Sequence, residues 1–286
     1  MTNLKGKTVL LTGASRGLGV HIARTLAKEQ ATIVCVSRSQ AGLDTTCDEI
    51  KALGGQGISI PFDMKNVAEL SNLTHQIQEI AGPVDILVNN AGVEIHRAFV
   101  DYSTEEIQSI LVTNLLSVME LTRLLLPSMI ERGSGRIVNI ASLAGKKGVA
   151  YNSIYSASKA GLIMWNDAMR QEFADTGINF SAICPGYVSE IGMTADSRIP
   201  APKLAGISTP KRVTNAVIRA IKYNKAEVIV NENIITESLT KLMFAIGQFS
   251  PSFVDTLYQW LGVVKLNKRR VEHWTPNRLE IGTHHK

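Results

Sequence analysis

Seven short runs rich in β-branched residues, separated by longer stretches of helical periodicity, constrain this chain more than any other feature. The runs fall at 8–11, 32–37, 57–61, 86–89, 136–140, 179–184 and 227–230, and helices are predicted between them at 19–28, 43–53, 67–80, 103–130, 153–175 and 209–223. Strands alternating with helices make βαβ units, whose crossovers cover both faces of a parallel sheet and leave the strands apolar throughout. The expected fold class is therefore α/β, a doubly wound seven-stranded parallel sheet with helices on both faces. Ser103-Thr104-Glu105-Glu106 has the form of a capping box and marks a helix start near Thr104. At 286 residues and 45% hydrophobic content the chain suffices for one large domain with a real core.

Residues 1–232 hold this pattern; 233–286 depart from it and read as a helical extension with a basic tail, packed on the same domain. Leu239, Leu242, Met243 and Ile246 keep helical spacing, as do Phe253, Leu257, Trp260, Leu261 and Val264, with Ser250-Pro251 breaking the two helices apart. Lys265, Lys268, Arg269 and Arg270 then cluster. Two readings stand: a helical hairpin packed on the domain, or a surface for a membrane or partner, since apolar stripes beside basic residues suit anionic interfaces. The segment 186–207, rich in Gly, Pro, Ser and Ala, reads as a mobile loop over a site.

Thr12-Gly13-Ala14-Ser15-Arg16-Gly17-Leu18-Gly19 follows the first strand and opens the first helix. A glycine turn in that place brings a pyrophosphate against helix N–H groups, because glycine lacks the Cβ that would block backbone approach. Where the second strand ends, a carboxylate would bind a ribose 2′-hydroxyl and an arginine would take the 2′-phosphate of NADP. The chain has Ser37-Arg38 and no acid there, and Arg16 can reach the same phosphate from the glycine loop. The cofactor expected is NADP. Further along, Tyr155 and Lys159 stand four residues apart, on one face of a helix, where an ammonium beside a phenol favours the phenolate.

The remaining composition narrows the setting. Thirty Lys and Arg against 25 Asp and Glu give a net charge of +5, a mild excess that fits a mixed soluble surface or an anionic small molecule, and no nucleic-acid partner is expected. Cys35, Cys47 and Cys184 show neither a C-x-x-C pair nor metal-ligand spacing, which points to a reduced intracellular protein with no metal site. The polar start, Met1 to Lys7, lacks a signal-peptide core, and no uninterrupted apolar run suggests a spanning helix, so a cytoplasmic location is expected. Tyr151 and Tyr187 read as aromatics packed near the crevice. His21, His75 and His96 lack ligand spacing and receive no role, while His273, His284 and His285 fall in a tail.

Taken together these motifs resemble the short-chain dehydrogenase/reductase family over roughly residues 5–230. Besides Thr12 to Gly19 and Tyr155 with Lys159, the chain carries Asn89-Asn90-Ala91-Gly92 after the fourth strand, Asn114 in the next helix, Ser142 after the fifth strand and Pro185-Gly186 after the sixth. The resemblance implies a Rossmann-like fold and an active site of Ser142, Tyr155 and Lys159 supported by Asn114. Tyr155 would give its proton to a carbonyl oxygen, Ser142 would donate a hydrogen bond to the same oxygen, and Lys159 would hold the nicotinamide ribose and lower the tyrosine pKa. Asn114 would hold a water that relays protons to Lys159, although a buried amide in an apolar helix also serves as a structural kink. Cofactor contacts implied are Gly13, Ser15, Arg16, Gly17, Leu18, Gly19, Ser37, Arg38, Asn90, Ala91, Gly92, Pro185, Gly186 and Val188, together with Tyr155 and Lys159. Asp63 resembles the family's adenine contact and equally suits a helix N-cap.

The function expected is NADP(H)-dependent interconversion of a ketone or aldehyde and an alcohol. The pocket should be formed by 143–150, 93–97 and 188–207, mainly apolar stretches that favour a lipid-like, acyl, steroid or aromatic substrate over a sugar. A homodimer or homotetramer is implied by the resemblance. The rivals are a peripheral membrane enzyme acting on lipids through its C-terminal helices and a catalytically silent NADP-binding scaffold.

Overall fold

The computed structural model describes residues 2–189, 191–192, 199 and 206–274. Its strands are β1 (Thr8–Thr12), β2 (Thr32–Ser37), β3 (Gln56–Pro61), β4 (Ile86–Asn89), β5 (Gly135–Ile140), β6 (Ile178–Pro185), β7 (Tyr187–Val188), β8 (Ile207–Ser208) and β9 (Glu227–Val230). Seven of them make one parallel sheet in the order β3-β2-β1-β4-β5-β6-β9, and β7 and β8 pair as a separate parallel ribbon. Because successive side chains of a strand face opposite ways, each strand feeds two cores. Val9, Leu11, Ile33 and Cys35 pack on one face with Ile22 and Val217, while Leu10, Val34, Val36 and Leu87 pack on the other with Leu73, Ile77 and Leu121. Full burial of each such aliphatic side chain contributes roughly 1.5–3 kcal/mol.

The helices are α1 (Leu18–Lys28), α2 (Gln40–Ala52), α3 (Leu70–Ala81), α4 (Thr104–Leu111), α5 (Ser117–Glu131), α6 (Ser153–Glu172), α7 (Pro210–Tyr223), α8 (Ile234–Phe249), α9 (Pro251–Trp260) and α10 (Val263–Trp274). The capping box at Ser103 is present, with the Ser103 hydroxyl accepting from the Glu106 N–H and the Glu106 carboxylate from the Ser103 N–H. The helix expected over 103–130 is interrupted by a π-helical turn, Val112–Leu116, which carries Asn114. By length and composition the stretch Thr104–Glu131 could cross a membrane, contrary to expectation, yet half of its most apolar window is buried. That burial marks it as a core helix of this sheet.

The C-terminal segment departs further from expectation. It holds three helices, because Gly262, with φ +76°, ends the second one and hands Val264 to the third. The Asn233 amide accepts from the Thr236 N–H to start α8, and Phe244 packs it into a third core with Val118, Leu162, Ala182 and Ile229. Arg270, read from the sequence only as one of a basic cluster, is 1% exposed. Most of the expected 186–207 loop, and His284 and His285, lie outside the described residues.

Doubly wound sheets bind ligands at the carboxyl ends of the strands, where the winding reverses. Here the chain runs outward from β1 to β2 and β3, then returns to lay β4 on the other side of β1. The loops after β1 and β4 therefore meet, and the site grows around that meeting.

Candidate active site

Glycine geometry makes the first wall. Gly13 has φ +68°, and a Cβ there would stand 2.8 Å from the Ala91 Cα; at Gly19 a Cβ would stand 2.0 Å from the Gly13 carbonyl oxygen. No side chain fits at Gly19. Asn90 locks the two loops together, its amide donating to the Thr12 and Gly13 carbonyls at 3.1 Å each, while the Thr12 hydroxyl accepts from the Asn90 and Ala91 N–H groups. What remains open above Gly13, Ser15, Gly17, Leu18 and Gly19 is a concave backbone surface at the N-terminus of α1, suited to phosphate oxygens.

This surface is one end of a cavity of about 1390 Å³. Arg16, Ser37, Arg38 and Asp63 line the same end, and the buried Ser37 hydroxyl has no hydrogen-bond partner among the described residues. Two guanidinium groups with a waiting hydroxyl fit a phosphorylated ribose. Asp63 is not a helix N-cap: Asn66 holds that position, and Asp63 accepts from the Lys65 N–H in a local turn. Ala91, Gly92, Pro185, Gly186 and Val188 line the middle. Gly186 is forced, since a Cβ would lie 1.9 Å from the Gly206 carbonyl oxygen.

Ser142, Tyr155 and Lys159 meet at the centre. Ser142 lies two residues past β5 and caps a short turn, its Oγ accepting from the Ala144 N–H at 3.1 Å. That leaves its own proton to give, and the hydroxyl stands close enough to the Tyr155 hydroxyl to lower that phenol's pKa. Tyr155 is on the first turn of α6 and Lys159 one turn on, with Nζ 5.7 Å from the Tyr155 ring centre and donating to the Ile140 carbonyl at 2.7 Å.

Burial governs how these groups ionise. It pushes the Tyr155 phenol well above its usual range, the nearby Glu94 carboxylate adds to the rise, and the neighbouring Ser142 hydroxyl only partly opposes both. The expected lowering by Lys159 is not found. Burial acts on the lysine too, bringing its pKa down to about 8, so the ammonium that was to favour a phenolate is itself disfavoured. Tyr155 is thus a protonated donor at neutral pH.

Asn114 is fully occupied: Oδ1 accepts from the Val93 N–H at 2.8 Å, and Nδ2 donates to the Val93 carbonyl and the Ser158 hydroxyl. Its side chain clamps the π-turn to the loop after β4. His96, given no role from sequence, is buried with Nε2 3.5 Å from the Glu94 carboxylate, and burial lowers its pKa. Tyr151 has φ +62°, and its carbonyl accepts from the Arg97 N–H.

The far end of the cavity was only half foreseen. Leu143, Val149, Val93, Glu94 and Ile95 line it as expected, but so do Asn152 and Tyr187, and Leu239, Met243, Phe244, Leu257, Tyr258, Leu261 and Val263 from α8 to α10. The signal was present in the apolar stripe Leu239–Met243, whose spacing could not tell a pocket wall from a packed face.

The profile for the family described as short chain dehydrogenase matches residues 7–200. The chain belongs to the short-chain dehydrogenase family. It is 70% identical over 282 residues, 99% of its own length and 97% of the relative's, to a protein named ketoacyl reductase HetN from Nostoc sp.. A putative ketoacyl reductase of Streptomyces coelicolor is 40% identical over 200 residues, covering 69% of this chain and 76% of that one. Among solved structures, an actinorhodin polyketide ketoreductase variant crystallised with NADPH superposes with a TM-score of 0.72 at 33% identity, covering 81% of this chain and 98% of the other. As a short-chain dehydrogenase this protein is an NAD(P)-dependent oxidoreductase that interconverts a ketone and an alcohol.

Proposed function

We propose that the protein uses NADPH to reduce the ketone of an apolar acyl substrate, of the 3-ketoacyl kind for which its relatives are named. One observation carries this reading: a single cavity joins the Arg16 and Arg38 end, the Ser142-Tyr155-Lys159 centre and a wall of aliphatic and aromatic side chains from three C-terminal helices. Its volume exceeds that of a pocket for one small ligand and suits a dinucleotide together with a chain-bearing substrate.

A bound NADPH supplies the hydride. The protein's own residues do the rest. Gly13 to Gly19 would hold the pyrophosphate, Arg16, Ser37 and Arg38 the 2′-phosphate, and Lys159 the ribose beside the nicotinamide. The carbonyl oxygen of the substrate accepts from both Ser142 and Tyr155, so charge developing on it is met by two preorganised donors. Tyr155, kept protonated by burial, passes its proton to that oxygen. Asn114 keeps the loop after β4 in place beneath them.

The test is a comparison of NADPH and NADH as reductants of acetoacetyl-CoA. Charge-assisted contacts to the phosphate predict a preference for NADPH of about tenfold or more, lost in Arg16→Ala/Arg38→Ala. Equal use of NADH by the unaltered protein would remove the NADP assignment, and no turnover of any ketone in a broad panel would favour an NADP-binding scaffold.

A further inference from the structure

Arg270 is the largest fully buried side chain among the described residues, and it belongs to α10, outside the family's matched residues. Its guanidinium carbon lies 5.0 Å from the centre of the Tyr187 ring. Neither Nε nor Nη2 has a hydrogen-bond partner among the described residues. One turn earlier Asn267, also 1% exposed, turns its amide toward the Tyr187 hydroxyl without closing a hydrogen bond of normal geometry. Tyr187 itself lines the cavity, directly after the Pro185-Gly186 turn, whereas Arg270 and Asn267 are not among its lining residues. A buried guanidinium with no carboxylate partner among the described residues is costly, and a neutral side chain of similar length would serve packing better.

We propose that Arg270 is a positioning residue for the substrate end of the site: stacked on Tyr187 from α10, and aided by Asn267, it fixes that ring as the wall opposite Tyr155. The inference rests on the reductase reading above and deepens it, because it makes the third C-terminal helix part of the substrate site. A cation over an aromatic face holds the ring in one plane, and the interaction strengthens where water is excluded. Tyr187 begins β7, which pairs with β8 in register Tyr187 to Ile207, so the same contact also steadies the ribbon at the cavity mouth.

The experiment uses the full chain as wild type, Arg270→Met, Arg270→Lys and Tyr187→Leu, with acetoacetyl-CoA and NADPH as probes. Arg270→Met should lower kcat/KM about tenfold, mostly through KM, with the Kd for NADPH unchanged and Tm unchanged or higher. Arg270→Lys, which keeps a cation, should recover part of the loss, and Tyr187→Leu should match Arg270→Met. A KM left unchanged in Arg270→Met, or a loss that follows a fall in Tm and is not recovered by lysine, would overturn the proposal. Should Arg270→Met not fold, the lysine variant and Tyr187→Leu decide it: a wild-type KM in both overturns it. Absence of turnover in the wild type would sink the reductase reading instead. Positioning would then be read from the NMR signals of ¹³C-labelled Tyr187, which should broaden or average in Arg270→Met and would refute the idea if they did not move.

Discussion

Lys159 and Tyr155 show how far burial overrides residue type. The lysine, with its pKa near 8, lies below its unfolded value of about 10.5. Between those limits the unfolded chain binds the extra proton, so stability rises with pH across that window, by up to about 1.4 kcal/mol per pH unit from this group. Below pH 8 the native state carries the whole penalty of a buried ammonium. NMR of the Lys159 side chain in the cofactor-free protein should give a titration midpoint near 8, and the gain in stability from pH 8 to 10 should shrink in Lys159→Met. A midpoint near the ordinary lysine value would mean that the ammonium keeps its water. The tyrosine moves the other way and stays protonated through neutral pH, as a proton donor requires. Tyr155→Phe should therefore lower kcat by about a hundredfold or more, a typical share for a positioned general acid, while NADPH binding persists. Ketone reduction at near wild-type rates in that variant would give the proton to another group.

At the scale of elements, the glycine loop is rigid because two neighbours occupy the space that side chains would need. Gly19→Ala should abolish tight NADPH binding and lower Tm, since its Cβ would meet the Gly13 carbonyl at 2.0 Å and overpacking of this kind costs about 1–3 kcal/mol or more. Gly148→Ala, where a Cβ meets nothing within 4 Å, is the control and should change neither fluorescence titration nor melting. Equal tolerance at both positions would show that the loop yields. The main strands were legible because a sheet covered on both faces demands unbroken apolar runs, and no strand end differs from expectation by more than one residue. The π-turn at Asn114 was not, since the 3.6-residue spacing runs through it unbroken and only the contact with Val93 and Ser158 reveals it. Tyr155 and Lys159 were found by spacing, but spacing says nothing of depth, so the direction of the tyrosine shift came out reversed. In the C-terminal segment Leu261-Gly262-Val263 carried a readable helix stop. The burial of Arg270 could not be read, because a cation beside Lys265, Lys268 and Arg269 looks like any solvated cluster.

Over the whole molecule, α8 is apolar on two sides. Its inward side chains, Met243 and Phe244 among them, line the cavity, while Ile235, Leu239, Leu242, Ile246 and Phe249 follow each other at intervals of three and four residues along an exposed stripe, with Phe249 92% exposed. Phe253 and the 77% exposed Trp260 extend it onto α9, and Lys241, Lys265, Lys268 and Arg269 are exposed nearby. Leu239 belongs to both surfaces, so the stripe adjoins the cavity wall. Such a surface fits an anionic lipid interface, from which an apolar acyl substrate could pass into the cavity without crossing water. Full-length protein should float with phosphatidylglycerol-containing vesicles, less so as salt is raised, and much less as Phe249→Asp/Trp260→Asp, whose altered side chains are solvent-exposed and should leave NADPH binding intact. Flotation that is absent in the wild type, or equal in the variant, would remove the lipid partner. If light scattering instead showed a wild-type dimer or tetramer that the same substitutions dissociate, the stripe would belong to self-association, the other way of covering so much exposed apolar surface.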